Sequence, residues 1–246
     1  DDDTEELKKY LYYVSAGFIK RLGNPRNEDL LDIVMMEDKK KQLEAFAKYL
    51  GKKENILKLQ KIFPVIVTTC ISAHRLGKPE PMFDMVIMDE ASQCNIAVSL
   101  VPIIRGESLM LVGDPQQLSP VILLDELTNE KLKKRYAVAK EYDYRKNSIY
   151  KTYLSCDAVS DETLLHDHYR CHRSIIGFNN RKYYNSRLRI LSESREDTPL
   201  VYMDMPQAQA DQKNTEAREI ARYAAINRDK EIGVITPFVN QKKLIE

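Results

Sequence analysis

The chain has 246 residues, 43% of them hydrophobic and 30% charged, and a formal net charge of +1. That balance excludes a disordered or fibrous chain and fits one large or two small globular domains. No run approaches the roughly 18 apolar residues of a membrane span, and the acidic start Asp1-Asp2-Asp3 lacks the basic and apolar stretches of a signal peptide. The expected location is therefore intracellular, in cytoplasm, nucleus or nucleoid. Near-neutrality is silent on nucleic acid, because a groove can be basic on a neutral whole.

Residues 1–62 read as helices. Leu7, Leu11, Val14 and Phe18 recur at helical spacing, as do Leu43, Phe46, Ala47 and Leu50, followed by Ile56, Leu59 and Ile62. Gly23-Asn24-Pro25 breaks the first helix from the second. Charge between the apolar positions, including Asp38-Lys39-Lys40-Lys41, fits a solvated helical pair or stalk. A basic track for nucleic acid is the sharper alternative.

After Pro64 the pattern changes. The β-branched run 65–69 reads as a buried strand, and 86–88 and 109–112 as two more. The apolar stretch 96–104 between them reads as a packed helix closed by Gly106. This alternation predicts an α/β fold with a parallel sheet and crossover helices. Residues 125–160 read as helix plus connector, with a domain boundary near 155–162. Beyond it, 173–184 reads as a helix, 200–203 as a strand and 206–213 as a polar loop. Residues 215–226 form an amphipathic helix with Ala217, Ile220, Ala221, Ala224 and Ala225 on one face. A strand over 232–236, stopped by Pro237, and the start of another helix complete the chain.

Two of the strands end in acidic turns, Asp89-Glu90 and Gly113-Asp114-Pro115-Gln116-Gln117. Ligands of parallel α/β sheets sit at the carboxyl ends of strands. A carboxylate pair there can hold Mg²⁺ and polarise an attacking water, and a glutamine amide nearby can touch both a terminal phosphate and that water. Each turn alone is also what a surface loop would carry; the pair, one βα unit apart, is the stronger signal. Tyr169-Arg170 adds an aromatic that can stack on a base and a guanidinium that can neutralise a phosphoryl group. The four cysteines, at 70, 94, 156 and 171, form no CxxC pair. The dense run His166, His168, Cys171 and His172 matches no usual zinc spacing and reads as a polar loop entering a helix.

The stretches VTTC, FDMVIMDEASQ, LMLVGDPQQLSPV, LHDHYRCHRSIIGFNNRKYYNSRL, NTEAREIA and IGVITPFVNQKKLI occur in that order. Together they resemble the superfamily one helicases of the nonsense-mediated-decay and senataxin-like branch, from about residue 60 to the end. In that family the elements read like DEASQ, GD-x-x-QL-x-P, QYRMHP-x-I-x-x-F-x-N-x-x-FY, N-x-x-EA and IGVITPY-x-x-Q. Here His168 stands for the usual Gln, Cys171 for Met, Arg173 for Pro and Phe238 for Tyr, and Asn179 falls where Pro is frequent.

The resemblance implies a RecA-like P-loop NTPase core with parallel sheets, flanking helices and a preceding helical stalk. Its divisions would be a stalk over 1–62, part of a first RecA-like domain over 63–160 and the start of a second over 161–246. It implies ATP and Mg²⁺ as cofactors and single-stranded RNA or DNA as partner, with no membrane. Carried over by position, Asp89 contacts Mg²⁺, Glu90 activates water, Gln117 and Arg170 reach the γ-phosphate, and Tyr169 lies against adenine. Asp114 sits with them at the nucleotide. Thr68, Thr69, Thr236 and Pro237 lie near the nucleic-acid channel. No G-x-x-x-x-G-K-[ST] phosphate loop and no late arginine motif occur, so the expectation is a central fragment of an ATP-dependent helicase or translocase, inactive alone. The alternative is a catalytically inactive helicase-like module that binds nucleic acid or protein.

Overall fold

The computed structural model describes residues 4–193, 199–205 and 215–246, so the expected polar loop over 206–213 lies outside the described residues. The chain divides into two compact units, Asp1–Glu162 and Thr163–Glu246.

The first unit opens with helix α1, Glu5–Lys20. Thr4 caps it by accepting from the Leu7 amide at 3.3 Å. Glu5 and Glu6 in the first turn and Lys20 in the last complement the helix dipole. The apolar stripe foreseen at Leu7, Leu11, Val14 and Phe18 is present, yet no residue of α1 is buried. Short 3-10 turns at Arg21–Gly23 and Pro25–Asn27 end it where Gly23-Asn24-Pro25 predicts a break.

Helices α2 (Glu28–Val34), α3 (Lys39–Leu50) and α4 (Lys53–Gln60) follow. Asp38 caps α3 through the amides of Lys40 and Lys41, which spends the acidic end of the charged run on the helix start. Leu30, Tyr49, Leu59 and Ile62 form one buried cluster, and Ile56, Leu76 and Met82 a second. Leu50 and Ile66 pack against both and join them. Gly77 turns the chain with φ of 60°, and a Cβ there would lie 3.1 Å from Ile56 Cδ1.

The run 65–69 is not the buried strand its β-branched composition suggests. Only Ile66 packs inward, while Val65 and Val67 are 77% and 91% exposed. A strand needs a neighbour to complete its hydrogen bonds, and no described strand lies beside this run.

Strand β1, Phe83–Met88, pairs parallel with β2, Gly106–Leu111, and Met88 faces Leu111 at the carboxyl end. Helix α5, Ile96–Ile103, makes the crossover, capped by Asn95 accepting from the Val98 amide. This is the α/β unit expected from the alternation. Gly106, expected to close the helix, instead opens β2, and a Cβ there would meet Val86 Cγ2 at 2.7 Å. The helix ends through Arg105, which is 4% exposed and donates to the carbonyls of Leu76, Gly77 and Val101. Burial pushes its pKa down.

Helices α6 (Glu126–Tyr136) and α7 (Ile149–Cys156) complete this unit. Between them Asp143 is 2% exposed and accepts from Lys133 Nζ at 2.7 Å, Asn129 Nδ2 at 3.1 Å and the Arg145 amide at 3.1 Å. Burial raises its pKa, but these donors outweigh burial and leave it lowered.

In the second unit β3 (Asp167–His168) pairs parallel with β4 (Arg189–Ile190). Helix α8, Arg173–Tyr183, packs on β4, and α9 (Thr215–Ile226) packs on α10 (Val239–Ile245). Asn180, on α8, bonds both the carbonyl and the amide of Leu188 at 3.0 Å and so fixes the turn into β4. The runs 200–203 and 232–236, expected as strands, carry no ladder among the described residues; Ile235 is 98% exposed. The reason is the one that holds for 65–69.

Replacing Ile56, which is fully buried, by Ala is expected to cost roughly 2–5 kcal/mol in chemical denaturation. Asp143→Asn is expected to destabilise the fold at neutral pH. Because the folded carboxyl is held below its ordinary value, its contribution is complete above that value and is lost as pH falls through the folded one. The gap between wild type and variant should therefore narrow below about pH 4.

Candidate functional site

The β1–β2 ladder extends one residue past β2, and this extension shapes the site. The Val112 amide donates to Met88 O at 2.8 Å, and the Ala91 amide donates back to Val112 O at 2.8 Å. Asp89 and Glu90 are therefore squeezed out between two residues that bond the same partner. The chain manages this turn with Glu90 in the left-handed region, at φ 52° and ψ 35°. A non-glycine residue there carries strain of about 1–2 kcal/mol. The result is that both carboxylates stand exposed at the carboxyl end of β1. Asp89 Oδ1 accepts from the Glu90 amide at 2.9 Å, and Glu90 Oε2 accepts from Gln93 Nε2 at 2.9 Å.

The second acidic turn is pressed against the first. A Cβ on Gly113 would lie 2.8 Å from the Ser92 amide nitrogen and 3.2 Å from that of Ala91. Only glycine permits this approach of backbone to backbone. The Asp114 amide then donates to Ser92 Oγ at 3.2 Å. Asp114 Oδ1 accepts from the Gln116 amide at 3.0 Å and Oδ2 from Gln117 Nε2 at 2.8 Å. The structure thus brings Asp89, Glu90, Asp114 and Gln117 to adjoining strand ends.

Helix α7 supports the same turns from below. The Ile149 amide donates to Cys94 O at 3.0 Å, and Ile149 packs with Met88 and Ala91 in a buried cluster. Tyr150 follows it. Burial first, then its hydrogen bond to Glu162 and the charges of Glu162 and Asp114, push its hydroxyl up to about 12. Thr69 is exposed and uses its Oγ1 to accept from the Ser72 amide, opening a 3-10 turn at Ser72–Arg75; Thr68 donates weakly to Thr69 O at 3.4 Å.

Tyr169, Arg170, Thr236 and Pro237 belong to the second unit. Tyr169 and Arg170 are exposed directly after β3. Thr236 Oγ1 accepts from the Phe238 amide, which places Thr236-Pro237 at the entrance to α10. The histidines near Arg170 are engaged by their own backbone. His166 Nδ1 lies 2.9 Å from Arg187 O, His168 Nε2 accepts from the Cys171 amide at 2.9 Å, and His172 Nδ1 accepts from Ser174 to cap α8. Sequence reading passed over Ser92 as a hydroxyl that joins the two turns, and Gln93 as the partner of Glu90. The first arises only from the tertiary approach at Gly113, which no sequence spacing announces.

An AAA domain family model matches residues 23–125, the segment that contains both acidic turns. The chain is 26% identical over 250 residues to mouse (Mus musculus) RNA helicase Mov10l1, covering 83% of this chain and 20% of that protein. It is 26% identical over 195 residues to the chicken (Gallus gallus) DNA replication ATP-dependent helicase/nuclease DNA2, covering 74% and 18%. It is 35% identical over 108 residues to the Saccharomyces cerevisiae helicase SEN1, covering 44% and 4%. These comparisons make the chain similar to the superfamily one helicases of the nonsense-mediated-decay and senataxin-like branch. It spans about a fifth, or less, of the length of these relatives. Its α/β core is RecA-like. Among its departures from the helicase pattern, His168 takes a backbone bond where Gln is usual, and Arg173 is the first residue of α8, a position that suits the usual Pro.

Gly113→Ala and Glu90→Gly should move stability in opposite directions. The first is expected to destabilise by about 1–3 kcal/mol through overpacking against residues 91 and 92. The second should stabilise by up to about 1 kcal/mol by releasing the left-handed backbone. Denaturant titration of the two variants beside wild type reads both signs.

Proposed function

We propose that the acidic turns after β1 and β2 are the water-activating half of a nucleotide-hydrolysis centre in an ATP-dependent helicase or translocase. The observation that carries this reading is the Gly113 contact, which holds Asp89-Glu90 and Asp114–Gln117 together at one sheet end. A surface loop has no need of two exposed acidic turns held in backbone contact, one of them in a strained left-handed conformation.

In this reading Glu90 accepts the proton of the attacking water as its oxygen bonds to the γ-phosphorus and ADP leaves. Gln93, bonded to Glu90 Oε2, keeps that carboxylate from rotating. Gln117 exchanges its bond to Asp114 for the γ-phosphate or the water, so the second turn senses which nucleotide is present. Asp89 and Asp114 offer hard carboxylate oxygens, the donor chemistry Mg²⁺ takes, and Asp89 is the residue to hold it. Mg²⁺ supplies charge neutralisation on the phosphate oxygens. Arg170 adds positive charge to the transferred phosphoryl group, and Tyr169 stacks on the adenine. Thr68, Thr69, Thr236 and Pro237 line the path of a single strand of RNA or DNA, which is gripped mainly through phosphates.

Turnover of ATP by the full-length protein, with and without single-stranded RNA or DNA, tests the reading beside Glu90→Gln. Stimulation by nucleic acid is expected, with the variant down by about 100-fold or more while still binding the strand. Affinity for the strand should fall steadily as salt rises. Unchanged turnover in Glu90→Gln would refute the assignment. Strand binding with no turnover under any condition would favour the inactive binding module.

A further inference from the structure

Cys70 and Cys94 lie far apart in the sequence, yet the fold brings them side by side. Both line one pocket of about 270 Å³, with Thr69, Ile71, Gln93, Asn95 and Val98. Both pack against the buried cluster of Met88, Ala91 and Ile149. Cys70 is close enough to Cys94 to help raise the Cys94 pKa. Both thiols are free and partly exposed.

We propose that Cys70 and Cys94 are a dithiol modification site, oxidised by a peroxide to a disulfide that clamps segment 65–69 to the turn at residues 90–93. The two cysteines differ in how they are held. Cys94 closes the 3-10 turn at Ala91–Gln93, its amide bonded to Ala91 O at 3.2 Å and its carbonyl to the Ile149 amide at 3.0 Å. Cys70 follows a segment, 65–69, that carries no ladder among the described residues. A fixed thiol beside a compliant one can reach the narrow geometry a disulfide requires.

The chemistry balances with peroxide as the oxidant. Cys70 sulfur attacks one peroxide oxygen, the O–O bond breaks, and Cys70 becomes a sulfenic acid with release of one water. Burial first, then Cys70 and Glu90, push the Cys94 thiol up to about 11, so it waits protonated as the resolving partner. Its sulfur then attacks Cys70 sulfur. The S–O bond breaks, the S–S bond forms, and the Cys94 proton leaves with the hydroxide as a second water. A thiol reductant reverses the bond by exchange. Cys156, exposed and hydrogen-bonded to the Tyr142 hydroxyl at 3.7 Å, has a different surrounding and serves as an internal reference.

The clamp joins Thr69, next to Cys70, to Gln93, the partner of Glu90. Its effect on turnover rests on the hydrolysis reading above; the disulfide itself does not. The test treats the reduced full-length protein with hydrogen peroxide, alkylates remaining thiols, digests without reductant and maps peptides by mass spectrometry. A peptide linking Cys70 to Cys94, lost on dithiothreitol treatment, is expected in wild type and in Cys156→Ser. It is absent from Cys94→Ser and from Cys70→Ser. In the same samples nucleic-acid-stimulated ATP turnover falls by about an order of magnitude and returns on reduction. Turnover of Cys94→Ser, whatever its starting level, does not respond. Recovery of Cys70 and Cys94 on separate alkylated or over-oxidised peptides, once Cys156 is oxidised, overturns the dithiol. A linked peptide with unchanged turnover overturns the clamp. A linked peptide in a protein with no turnover supports the dithiol and counts against the hydrolysis reading alone.

Discussion

The contact between Gly113 and the backbone at residues 91 and 92 sets the geometry of everything around it. Two parallel strands leave their sheet with different tasks. β1 must turn at once, because Met88 and Ala91 both bond Val112. β2 must run on by one residue to supply that partner and then pass the turn it has just created. A side chain at position 113 would push the two turns apart. With glycine there, Ser92 Oγ reaches the Asp114 amide, and the carboxylates on both turns become parts of one surface.

The strain in that arrangement is carried by a well-packed foundation. Glu90 sits in a left-handed conformation that an isolated turn of this sequence would leave. Ala91, fully buried, and Met88 and Ile149 beneath it hold the turn down. The bridge between Asn95 and Ser148 and the bond from Ile149 to Cys94 tie α7 to the same stretch. The segment that carries α7 is itself anchored by Asp143, a buried carboxylate satisfied by a lysine, an asparagine and a backbone amide. This is the physical sense in which a stable scaffold keeps a strained residue in place.

Much of this fold is local, and the local part was legible. The helical spacing of apolar residues in α1, α3 and α9 declares helices without reference to distant residues. The unit β1–α5–β2 was legible because an apolar helix between two apolar runs has only one common solution. Strands were over-read. The runs 65–69, 200–203 and 232–236 have strand composition, but a ladder is made by two partners and composition describes one. For the site, placement of Asp89, Glu90, Asp114 and Gln117 at strand ends could be read from the turns that follow each apolar run. The link from Ser92 to Asp114, the left-handed Glu90 and the meeting of Cys70 with Cys94 could not. Each depends on tertiary approach between segments whose separation the sequence does not encode in any spacing rule.

The most direct test of the account is a structure of the full-length protein with Mg²⁺, ADP and aluminium fluoride as a mimic of the transferring phosphoryl group. The account predicts the metal held on the Asp89 side, a water between Glu90 and the fluoride, and the Gln117 amide released from Asp114 and turned toward it. Nucleotide bound elsewhere, or Gln117 still bonded to Asp114 with the mimic in place, would contradict it.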